Sequence, residues 1–547
     1  MSHDLMQLMA ERISAGLRRK SLTSCSRWTE NCRVMGRPFP GPWSFKYHPW
    51  SREMHDSNAE VNVGQKSAQA AFTETALNRT FFNIDVRRID CLYVLPAATP
   101  DAHDFSSARF NPALESSEHL KKMFSEVDNI GHKRSGNVNL YIRGSRTPNH
   151  LKSVPVGMVV LDEFDEMDEG VYALAKERLS GQIEKQLWAI STPTIPKYGI
   201  NKLFEDTTQE HFFFKCPCCS RLTELVFPDC LEITGEDVTD TNVLNSFYKC
   251  KECGGKLQQE TKTEWLAHGI WVPKFSDRVE RGFHVNQMYS STIKPSDLAK
   301  SYLKSLRDPS EEQEFYNSKL GLPHVVEGAG VTDADIAKCI GTYKRWASVG
   351  GNALITAGVD VGRWLHFEID KWHLHPTATV DINAQARPDV INYGKVRNFE
   401  EIDELIRRFS ISSLVIDAHP ETRKAQELAG RFPGIVKLCT YVQGITGKQI
   451  HIAPEEESRV SVDRTSWLDL SLGRFRNGEI TLPVDLEQEY KTHLKSQVRI
   501  YEKDKYGNPV GRYVKGSDDD HYGHARNYAE IALQFAISHG VSSDIVE

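Results

Sequence analysis

The stretch "GMVVLDEFDEM", residues 157–167, decides the fold of the N-terminal half of the chain. Its apolar run leads directly into Asp162 and Glu163, which predicts a buried parallel strand with two carboxylates at its C-terminal end. A nucleotide hydrolase needs one acid for Mg²⁺ and a second acid that orients or deprotonates water. The chain contains no G-x-x-x-x-G-K-[ST] phosphate loop. Either a phosphate-binding element of another form is present, or the acids are a solvated helix start with nothing to hydrolyse.

The bulk properties are those of a globular protein with several domains. The length of 547 residues exceeds what one core can hold, and we expect about two to four domains. Eleven cysteines, an odd number, indicate reduced thiols or metal ligands rather than a disulfide framework. The net charge of -7 argues against a surface covered with positive charge for nucleic acid, although it allows a local basic channel. No apolar run is long enough for a membrane span, and the N-terminus lacks the apolar core of a signal peptide, so we expect a cytosolic protein.

The apolar pattern predicts two α/β sheets. Between residues 60 and 200, the runs "AEVNVG", "IDCLYVLP", "VGMVVLDEF" and "KQLWAIST" alternate with helical stretches, which is typical of a parallel sheet. A second alternation begins near residue 353 with "ALITAGVDV" and ends in a helix, "HARNYAEIALQFAI". Gly-rich stretches within 326–352 predict a linker between the two.

A rearranged phosphate loop lies at the first strand-to-helix turn, "VNVGQKSAQAAFTETALNR". Counting back seven positions from Thr73 places Lys66 where the usual loop has its first glycine, while Ala71 and Phe72 occupy the usual Gly-Lys positions. Because the lysine stem is long and flexible, Lys66 can approach the β and γ phosphates from the other end of the loop. The strand, the turn, Ser67, Thr73 and the helix N-terminus supply the other parts. The alternative is a solvated helix start.

Two C-x-x-C pairs, thirty residues apart, predict a metal site. The pairs are Cys216/Cys219 and Cys250/Cys253, and Gly-Gly follows the second pair. This spacing is typical of a tetrahedral Cys₄ zinc ribbon, in which a closed ligand set makes the metal structural. Cys218 is an alternative ligand to Cys219, and four reduced core cysteines are the alternative to a metal.

A second set of acids lies in the C-terminal half. Asp360 and Asp417 each end an apolar strand, and Asp520 precedes a helix in "GSDDDHYGHARNYAEIAL". A nuclease that uses two divalent ions needs several carboxylates that converge on one phosphate. Asp520 is our choice within the acidic run, with Asp519 as the alternative and Asp518 also open.

Four further polar residues near these acids are candidates. His524 lies one helical turn beyond Asp520 and is either a ligand for metal or phosphate or an ordinary surface histidine; His521 is a weaker candidate. Glu368 and Asp370 lie on one side of the strand that follows Asp360, so one of them is expected to face the metals.

These motifs, in this order, resemble the large terminase subunit of tailed bacteriophages. The residues that carry the resemblance are Lys-Ser-Ala-Gln-x-x-x-Thr-Glu, "VLPAATPDAHDFSSARFNP", "VVLDEFDEM" and "AISTPT". The lambda-type branch is the most similar, because its phosphate loop also carries the lysine early. The resemblance extends from about residue 43 to residue 537. It implies an ATPase that drives DNA into a capsid and a nuclease of RNase H-like fold that cuts the concatemer.

The resemblance also implies residue roles in the ATPase part. In "YHPWSREM", Trp50 and Arg52 match an adenine-side segment in which Ser51 replaces the family's glutamine. "STPT", residues 191–194, matches the segment that couples γ-phosphate to movement, and "EFYNSKLGLP", residues 314–323, is assigned a packing role. The remaining assignments are phosphate and Mg²⁺ binding by Lys66, Ser67, Thr73 and Asp162, catalysis by Glu163, and a possible arginine finger among Arg143, Arg146 and Arg178.

The predicted fold class is α/β: a P-loop ATPase with a parallel sheet, a Cys₄ zinc-ribbon insertion and a C-terminal RNase H-like nuclease domain. The proposed limits are 1–45 for a polar, partly helical segment, 46–208 for the ATPase core, 209–262 for the ribbon, 263–330 for a helical segment with linker, and 331–547 for the nuclease.

The predicted function is ATP-driven translocation of viral double-stranded DNA into a procapsid, with metal-dependent endonucleolytic cleavage. The cofactors are ATP, Mg²⁺ (or Mn²⁺ at the nuclease) and Zn²⁺. The resemblance implies a small terminase subunit, a capsid portal and a pentamer as partners, no membrane, and the host cytoplasm as location. The alternatives are a cellular helicase-nuclease of DNA repair and a zinc-stapled DNA-binding scaffold with a degenerate ATPase.

Overall fold

The computed structural model describes residues 6, 9, 24–124, 127–147, 149–152, 154–346, 354–374, 382–442, 445, 447–453, 456–503 and 508–540. The chain divides into two compact units, Met1–His324 and Val325–Glu547. Most of the predicted N-terminal polar segment before residue 24 lies outside the described residues. Within the described part of the chain, no helix has the length and apolar character needed to cross a membrane.

Unit 1 is built on one large sheet with helices around it. Its strands are β1 Val34–Met35, β2 Gly41–Pro42, β3 Val61–Lys66, β4 Cys91–Leu95, β5 Val127–Asn129, β6 His132–Ser135, β7 Val138–Gly144, β8 Met158–Asp162, β9 Gln186–Ser191, β10 Glu210–Lys215, β11 Leu222–Thr223, β12 Leu231–Glu232, β13 Phe247–Lys249, β14 Lys256–Leu257, β15 Ile270–Pro273 and β16 Arg281–Val285. Its helices are α1 Cys25–Cys32, α2 Ser51–His55, α3 Phe72–Phe82, α4 His103–Phe105, α5 Asn111–Ser116, α6 Glu118–Met123, α7 Asn149–Lys152, α8 Gly170–Leu179, α9 Gly199–Glu205, α10 Lys262–Trp265, α11 Pro295–Ser305 and α12 Pro309–Glu314. Short 3₁₀ or π turns lie at Asn83–Arg87, Ala98–Ala102, Ser106–Phe110, Phe164–Glu166, Thr241–Asn245, Gln287–Tyr289 and Phe315–Lys319.

The sheet of unit 1 has the order β11-β10-β16-β3-β9-β8-β4-β7-β6-β5, and β15 also pairs with β10. All neighbours from β10 to β7 are parallel. The strands β3, β4, β8 and β9 are buried along their whole length, as expected for parallel strands that are covered on both faces. The strand predicted from residues 157–167 is β8, in the middle of this sheet.

The segment 263–330, predicted to be helical, also contains two strands. One of them, β16, lies between β10 and β3 in the large sheet. Strand β10, which falls within the expected ribbon insertion, belongs to the same sheet. The sheet of the ATPase part therefore includes residues beyond 208. The sequence "RGFHV" has few apolar residues, and Arg281 is accommodated because it pairs with Glu210 at 2.6 Å. Tertiary packing therefore selects a strand that the apolar pattern does not indicate. The proposed domain limits stay a prediction.

Unit 2 is built on a seven-stranded mixed sheet in the order β19-β18-β17-β20-β21-β23-β22. Strands β17, β18 and β19 are antiparallel, whereas β20, β21 and β23 continue parallel to β17. This is the arrangement of an RNase H-like sheet, as predicted. The strands are β17 Leu354–Val361, β18 Leu365–His373, β19 Arg387–Val396, β20 Ser413–Asp417, β21 Val436–Tyr441, β22 Ile450–Ala453, β23 Glu456–Val462, β24 Gln497–Lys503 and β25 Pro509–Lys515. The helices are α13 Asp333–Lys338, α14 Ile382–Gln385, α15 Phe399–Phe409, α16 Thr422–Arg431, α17 Arg464–Asn477, α18 Gln488–Lys495 and α19 His521–Gly540.

The C-terminal helix α19 packs closely on β17. A Cβ added at Gly358 would collide with the backbone of Ala525 and Ala529, so only glycine permits this approach. Thr356 fixes the contact because its hydroxyl donates to the carbonyl of Ala529 at 3.0 Å. The strand end that carries Asp360 and the start of α19 are therefore held together.

We expect Gly358→Ala to loosen unit 2, because overpacking against backbone atoms costs about 1–3 kcal/mol. Amide hydrogen exchange of peptides from β17 and α19 should become faster. The matched control is Gly430→Ala in α16, where an added Cβ meets no atom within 4 Å, and its exchange should match that of the wild type. Unchanged exchange in Gly358→Ala would show that the contact tolerates a methyl group.

Candidate functional site

The phosphate loop predicted from the sequence lies between β3 and α3. Strand β3 ends at Lys66, and α3 begins after Ala71, which has a left-handed backbone (φ 64°) and makes no side-chain cap. The N–H groups at the start of a helix therefore remain available for an anion.

Two later segments hold this loop from behind. The N–H of Ser67 donates to the carbonyl of Val285 at 3.0 Å, and the N–H of Ala68 donates to that of Ser318 at 2.8 Å. Gly321 has a φ of +66°, and a Cβ at this position would lie 2.6 Å from the backbone nitrogen of Ser67. The loop backbone is thus shaped by residues that are more than two hundred positions away.

Five side chains meet at the carboxyl edge of the sheet. Lys66 Nζ lies 3.0 Å from Glu163 Oε1. The Thr73 hydroxyl donates to Asp162 Oδ1 at 3.3 Å, and the Tyr93 hydroxyl donates to Asp162 Oδ2 at 2.7 Å. The structure thus brings together the loop residues and the two acids predicted from the sequence.

The electrostatics of Asp162 are set by burial. Desolvation and the nearby charge of Glu163 raise the pKa of Asp162 to about 6, while Lys66 and the hydrogen bonds from Tyr93 and Thr73 act in the opposite direction. Each carboxylate oxygen accepts one hydrogen bond, which leaves lone pairs for a cation. An oxygen donor in this setting suits Mg²⁺, so the residues present fit the metal that the fold family implies.

A cavity of about 860 Å³ opens over this edge. Its volume is in the range of small-molecule and cofactor sites. Phe39 and Tyr47 stack on each other with ring centroids 3.8 Å apart and form part of the wall. The other side chains that line the cavity around the loop and the acids include His48, Lys66, Thr73, Arg109, Glu163 and Thr192.

The side chains assigned to the adenine side by resemblance lie elsewhere. The indole of Trp50 is buried and donates to the carbonyl of Ala70 at 3.0 Å, so it supports the loop. Arg52 pairs with Glu30 at 2.6 Å. Among the described residues, the lining includes neither Trp50 nor Arg52.

Ser67 is also buried outside the lining. Sequence reasoning missed Phe39, Tyr47 and Arg109 as cavity residues. The aromatic-rich stretch "RPFPGPWSFKYHPW", residues 37–50, is the signal that points to two of them.

The segment 191–194 joins the acidic edge to the segment 314–323. Asp165 accepts the N–H of Thr194 at 2.8 Å and that of Ile200 at 2.6 Å. The carbonyl of Thr194 accepts the side-chain amide of Asn317 at 2.8 Å and the N–H of His324 at 3.1 Å. Asp165 belongs to the same acidic run as Asp162, and the sequence alone does not separate their roles.

The three arginine candidates differ in their surroundings. Arg143 donates to the carbonyl of Gly131 at 2.5 Å, and Arg178 donates to that of Lys152. Arg146 is exposed. Two of the three are thus occupied with backbone contacts within their own unit.

The four predicted cysteines come together beside a three-stranded sheet of β12, β13 and β14. The sulfur atoms of Cys216, Cys219, Cys250 and Cys253 all lie within 4.8 Å of one another. The N–H groups of Cys218 and Gly255 point to sulfur, at 3.3 Å from Cys216 and 3.4 Å from Cys253. The cluster therefore contains Cys219 rather than Cys218, and its four thiols suit a tetrahedral metal.

The segment after this cluster supports one wall of the cavity. Gln259 donates to the carbonyls of Ser291 and Ile293, both at 3.3 Å. Lys262 donates to the carbonyl of Ser290 at 2.9 Å, and Ser290 lines the cavity. The segment that follows the cysteine cluster thus contacts the cavity wall.

In unit 2, the predicted acids lie at the carboxyl ends of β17 and β20 and before α19. His521 Nδ1 lies 2.8 Å from Asp360 Oδ2, and His524 Nε2 lies 3.3 Å from Asp520 Oδ2. Burial alone would raise the pKa of Asp520, but its hydrogen bond with His524 and the charges nearby hold this pKa below its usual range. Burial raises the pKa of Asp417.

The neighbouring acids of the run are less suited. Asp519 pairs with Lys515 at 3.2 Å and its side chain is 61% exposed, whereas Asp520 is buried. Among the described residues of unit 2, the group whose ligand atoms all lie within 4.8 Å of one another is Asp360, His366 and His521. His366 was not singled out from the sequence, because a lone histidine in a strand carries no metal-binding pattern.

The sequence predicts that Glu368 or Asp370 faces the metals, but neither side chain belongs to this group. Both are fully buried and pair with the guanidinium of Arg526, which lies 3.0 Å from Glu368. Arg526 also pairs with Glu530, which in turn pairs with Arg474 at 2.6 Å. Glu368 and Asp370 lie on the same face of β18 as His366 but farther from the strand end at Asp360, and there α19 covers them and Arg526 pairs with them.

Two family models match the chain. "Phage terminase large subunit gpA, ATPase domain" matches residues 38–271, and "Terminase large subunit gpA, endonuclease domain" matches residues 280–383. Together they span more than half of the chain and confirm the resemblance found in the motifs. No curated protein sequence matches significantly.

One solved structure shares the fold, and two others are similar to this chain to a lesser degree. The HK97 bacteriophage large terminase is 11% identical, covers 93% of this chain and 99% of that chain, and has a TM-score of 0.51. A large terminase from a thermophilic bacteriophage is 11% identical, covers 90% of this chain and 99% of that chain, and has a TM-score of 0.32. The large terminase nuclease of thermophilic phage G20c is 13% identical, covers 36% of this chain and 95% of that chain, and has a TM-score of 0.22.

The ATPase and endonuclease models indicate the use of a nucleotide and of a divalent metal. The chain therefore belongs to the family of phage terminase large subunits, and it is an ATPase and endonuclease that acts in packaging and cutting viral DNA.

Proposed function

We propose that ATP is hydrolysed at the carboxyl edge of the unit 1 sheet. The observation that carries this proposal is the contact between Lys66 and Glu163, which lie 3.0 Å apart and both line a cavity large enough for a nucleotide. Thr73 and Asp162 provide oxygen donors for Mg²⁺, which when bound neutralises charge on the phosphates.

Lys66 has two partners in this proposal. Without nucleotide its ammonium group pairs with Glu163, and with nucleotide it turns to the β and γ phosphates. Glu163 is then free to orient the attacking water and to accept its proton. Nucleotide binding thus releases the catalytic carboxylate.

Segment 191–194 couples the presence of the γ-phosphate in the cavity to the position of the segment around Asn317. Thr192 lines the cavity, and Asp165 and Asn317 hold Thr194 from two sides. A shift at this strand end would move the segment around Asn317, which we propose as the route from hydrolysis to DNA movement.

We propose that viral duplex DNA is cut in unit 2 by divalent ions, Mg²⁺ or Mn²⁺, at Asp360, Asp417 and Asp520. Support comes from the parallel pairing of β17 with β20 and from the packing of α19 on β17. Both place carboxylates near one edge of the sheet, as metal-assisted phosphodiester cleavage requires.

We further propose that the cluster of Cys216, Cys219, Cys250 and Cys253 holds structural Zn²⁺. The small terminase subunit and a capsid portal are the proposed partners, with a pentamer on the portal in the host cytoplasm. Such a ring allows an arginine finger from a neighbouring subunit, for which the exposed Arg146 is available.

We expect Lys66→Ala and Glu163→Gln to lower kcat for ATP hydrolysis by about 10²-fold or more, since general-base and phosphate contacts contribute this much. Steady-state turnover is measured with and without linear duplex DNA. The matched control is Glu184→Gln, an exposed partner of Arg87, which should keep wild-type turnover. Wild-type turnover in Lys66→Ala would show that the phosphate loop is misplaced.

We expect Tyr47→Ala to raise the KM for ATP several-fold. Tyr47 lines the cavity, and a stacking contact between its ring and the base of ATP is worth about 1 kcal/mol. Arg52→Ala should leave KM unchanged, since Arg52 pairs with Glu30 away from the cavity. KM for ATP and GTP is measured for both variants. The reverse pattern would support the adenine-side assignment that the resemblance implies.

We expect the purified protein to contain stoichiometric zinc by elemental analysis. Cys216→Ser should lose the zinc, because a buried thiolate ligand is removed. The KM for ATP should rise in this variant, because the cavity wall at Ser290 becomes less ordered. Cys218→Ser is the control and should retain zinc. Zinc lost from Cys218→Ser but kept in Cys219→Ser would reverse the ligand assignment.

A further inference from the structure

We infer that Asp360, His366 and His521 form a mixed carboxylate–imidazole metal site, whose two imidazoles suit a transition metal better than Mg²⁺. The inference rests on the proposed nuclease site and changes its ligand set, because two histidines take the place of further carboxylates beside Asp360.

The backbone places the three ligands together. In the antiparallel pair of β17 and β18, Asp360 lies directly opposite His366, so both side chains are on the same face of the sheet. Helix α19 covers this face and begins at His521. The ligand atoms of all three residues lie within 4.8 Å of one another.

The contacts within the group leave a buried nitrogen unsatisfied. His521 Nδ1 already pairs with Asp360 Oδ2 at 2.8 Å, and its ring stacks on that of His366 with centroids 4.5 Å apart. His366 is only 4% exposed, and its Nδ1 is buried without a hydrogen-bond partner among the described residues. A buried nitrogen of this kind costs free energy unless something binds there, and a metal ion at the group would satisfy the cluster.

The ring of His493 lies edge-on to this pair. Its centroid is 5.6 Å from that of His366 and 5.7 Å from that of His521. His493 is 5% exposed, and within the described part of the chain its Nδ1 is also buried without a partner. Three imidazoles and one carboxylate are thus gathered at one strand end.

The composition of the group selects the metal. Mg²⁺ prefers oxygen ligands in octahedral geometry, whereas imidazole suits transition metals such as Zn²⁺ and Fe²⁺, for which Mn²⁺ serves in the test as a paramagnetic probe. Asp520 pairs instead with His524 and accepts a hydrogen bond from the side-chain amide of Gln497 at 3.3 Å. Its contacts therefore differ from those of Asp360. The position at Asp360 is therefore rich in nitrogen ligands.

The test is electron spin-echo spectroscopy of Mn²⁺ added to the full chain, which detects ¹⁴N of a coordinated imidazole. The chain carries Asp162→Asn so that the ATPase site does not contribute. We expect ¹⁴N modulation in this parent chain. The double variant His366→Gln/His521→Gln should lose the modulation and bind Mn²⁺ at least tenfold more weakly than the parent chain. The control is His373→Gln, at the exposed end of the same strand, which should keep both signals.

Bound Mn²⁺ without ¹⁴N modulation in the parent chain would overturn the histidine ligands while leaving the carboxylate nuclease site standing. This measurement needs no histidine variant, so a folding failure of the double variant does not obscure it. If Asp360→Asn changes neither Mn²⁺ binding nor DNA cleavage, the proposed nuclease site itself fails.

Discussion

Parallel pairing of buried strands is the constraint on which both units depend. When neighbouring strands run the same way, their carboxyl ends meet at one edge of the sheet, and the residues that follow are gathered there. In unit 1, the ends of β3, β8 and β9 bring Lys66, Asp162 and the segment 191–194 to one place. In unit 2, β17 and β20 do the same for Asp360 and Asp417. Chemistry is thus assembled from residues far apart in sequence.

Residues at the ends of strongly apolar strands could be predicted from the sequence. Asp162 and Glu163 follow four apolar residues, and burial of that run determines where the acids go. The cysteine pairs were equally predictable, because two C-x-x-C turns at this distance leave few other arrangements. Lys66 was predictable from its distance to Thr73 together with the resemblance to a loop that carries its lysine early, since no glycine pattern marks the loop.

Other features depend on tertiary contacts that the sequence does not display. Trp50 matches a segment associated with adenine, yet its indole supports the loop from below, because a large ring is more stable when buried. Strand β16 has a weak apolar pattern and is specified by its neighbours. Glu368 and Asp370 alternate correctly for a metal site, but α19 covers them and Arg526 supplies their partner.

The buried ion cluster around Arg526 also explains how α19 is oriented. Arg526 contacts Glu368, Asp370 and Glu530, and all four side chains are fully buried. Buried charges contribute little net stability because desolvation is costly, but their geometry permits few arrangements. Since His521 and Asp520 lie one to two turns before Arg526, fixing this arginine fixes the register of the acidic edge.

Gly321 has a consequence for transplanting this loop into other proteins. It presses against the backbone of Lys66 and Ser67 from a segment more than 250 positions later in the chain. A graft of residues 61–79 alone would bring the lysine and the threonine but not the wall that shapes the turn between them. The transferable unit is therefore not a contiguous peptide but a pair of segments, and the second must end in a residue without a side chain.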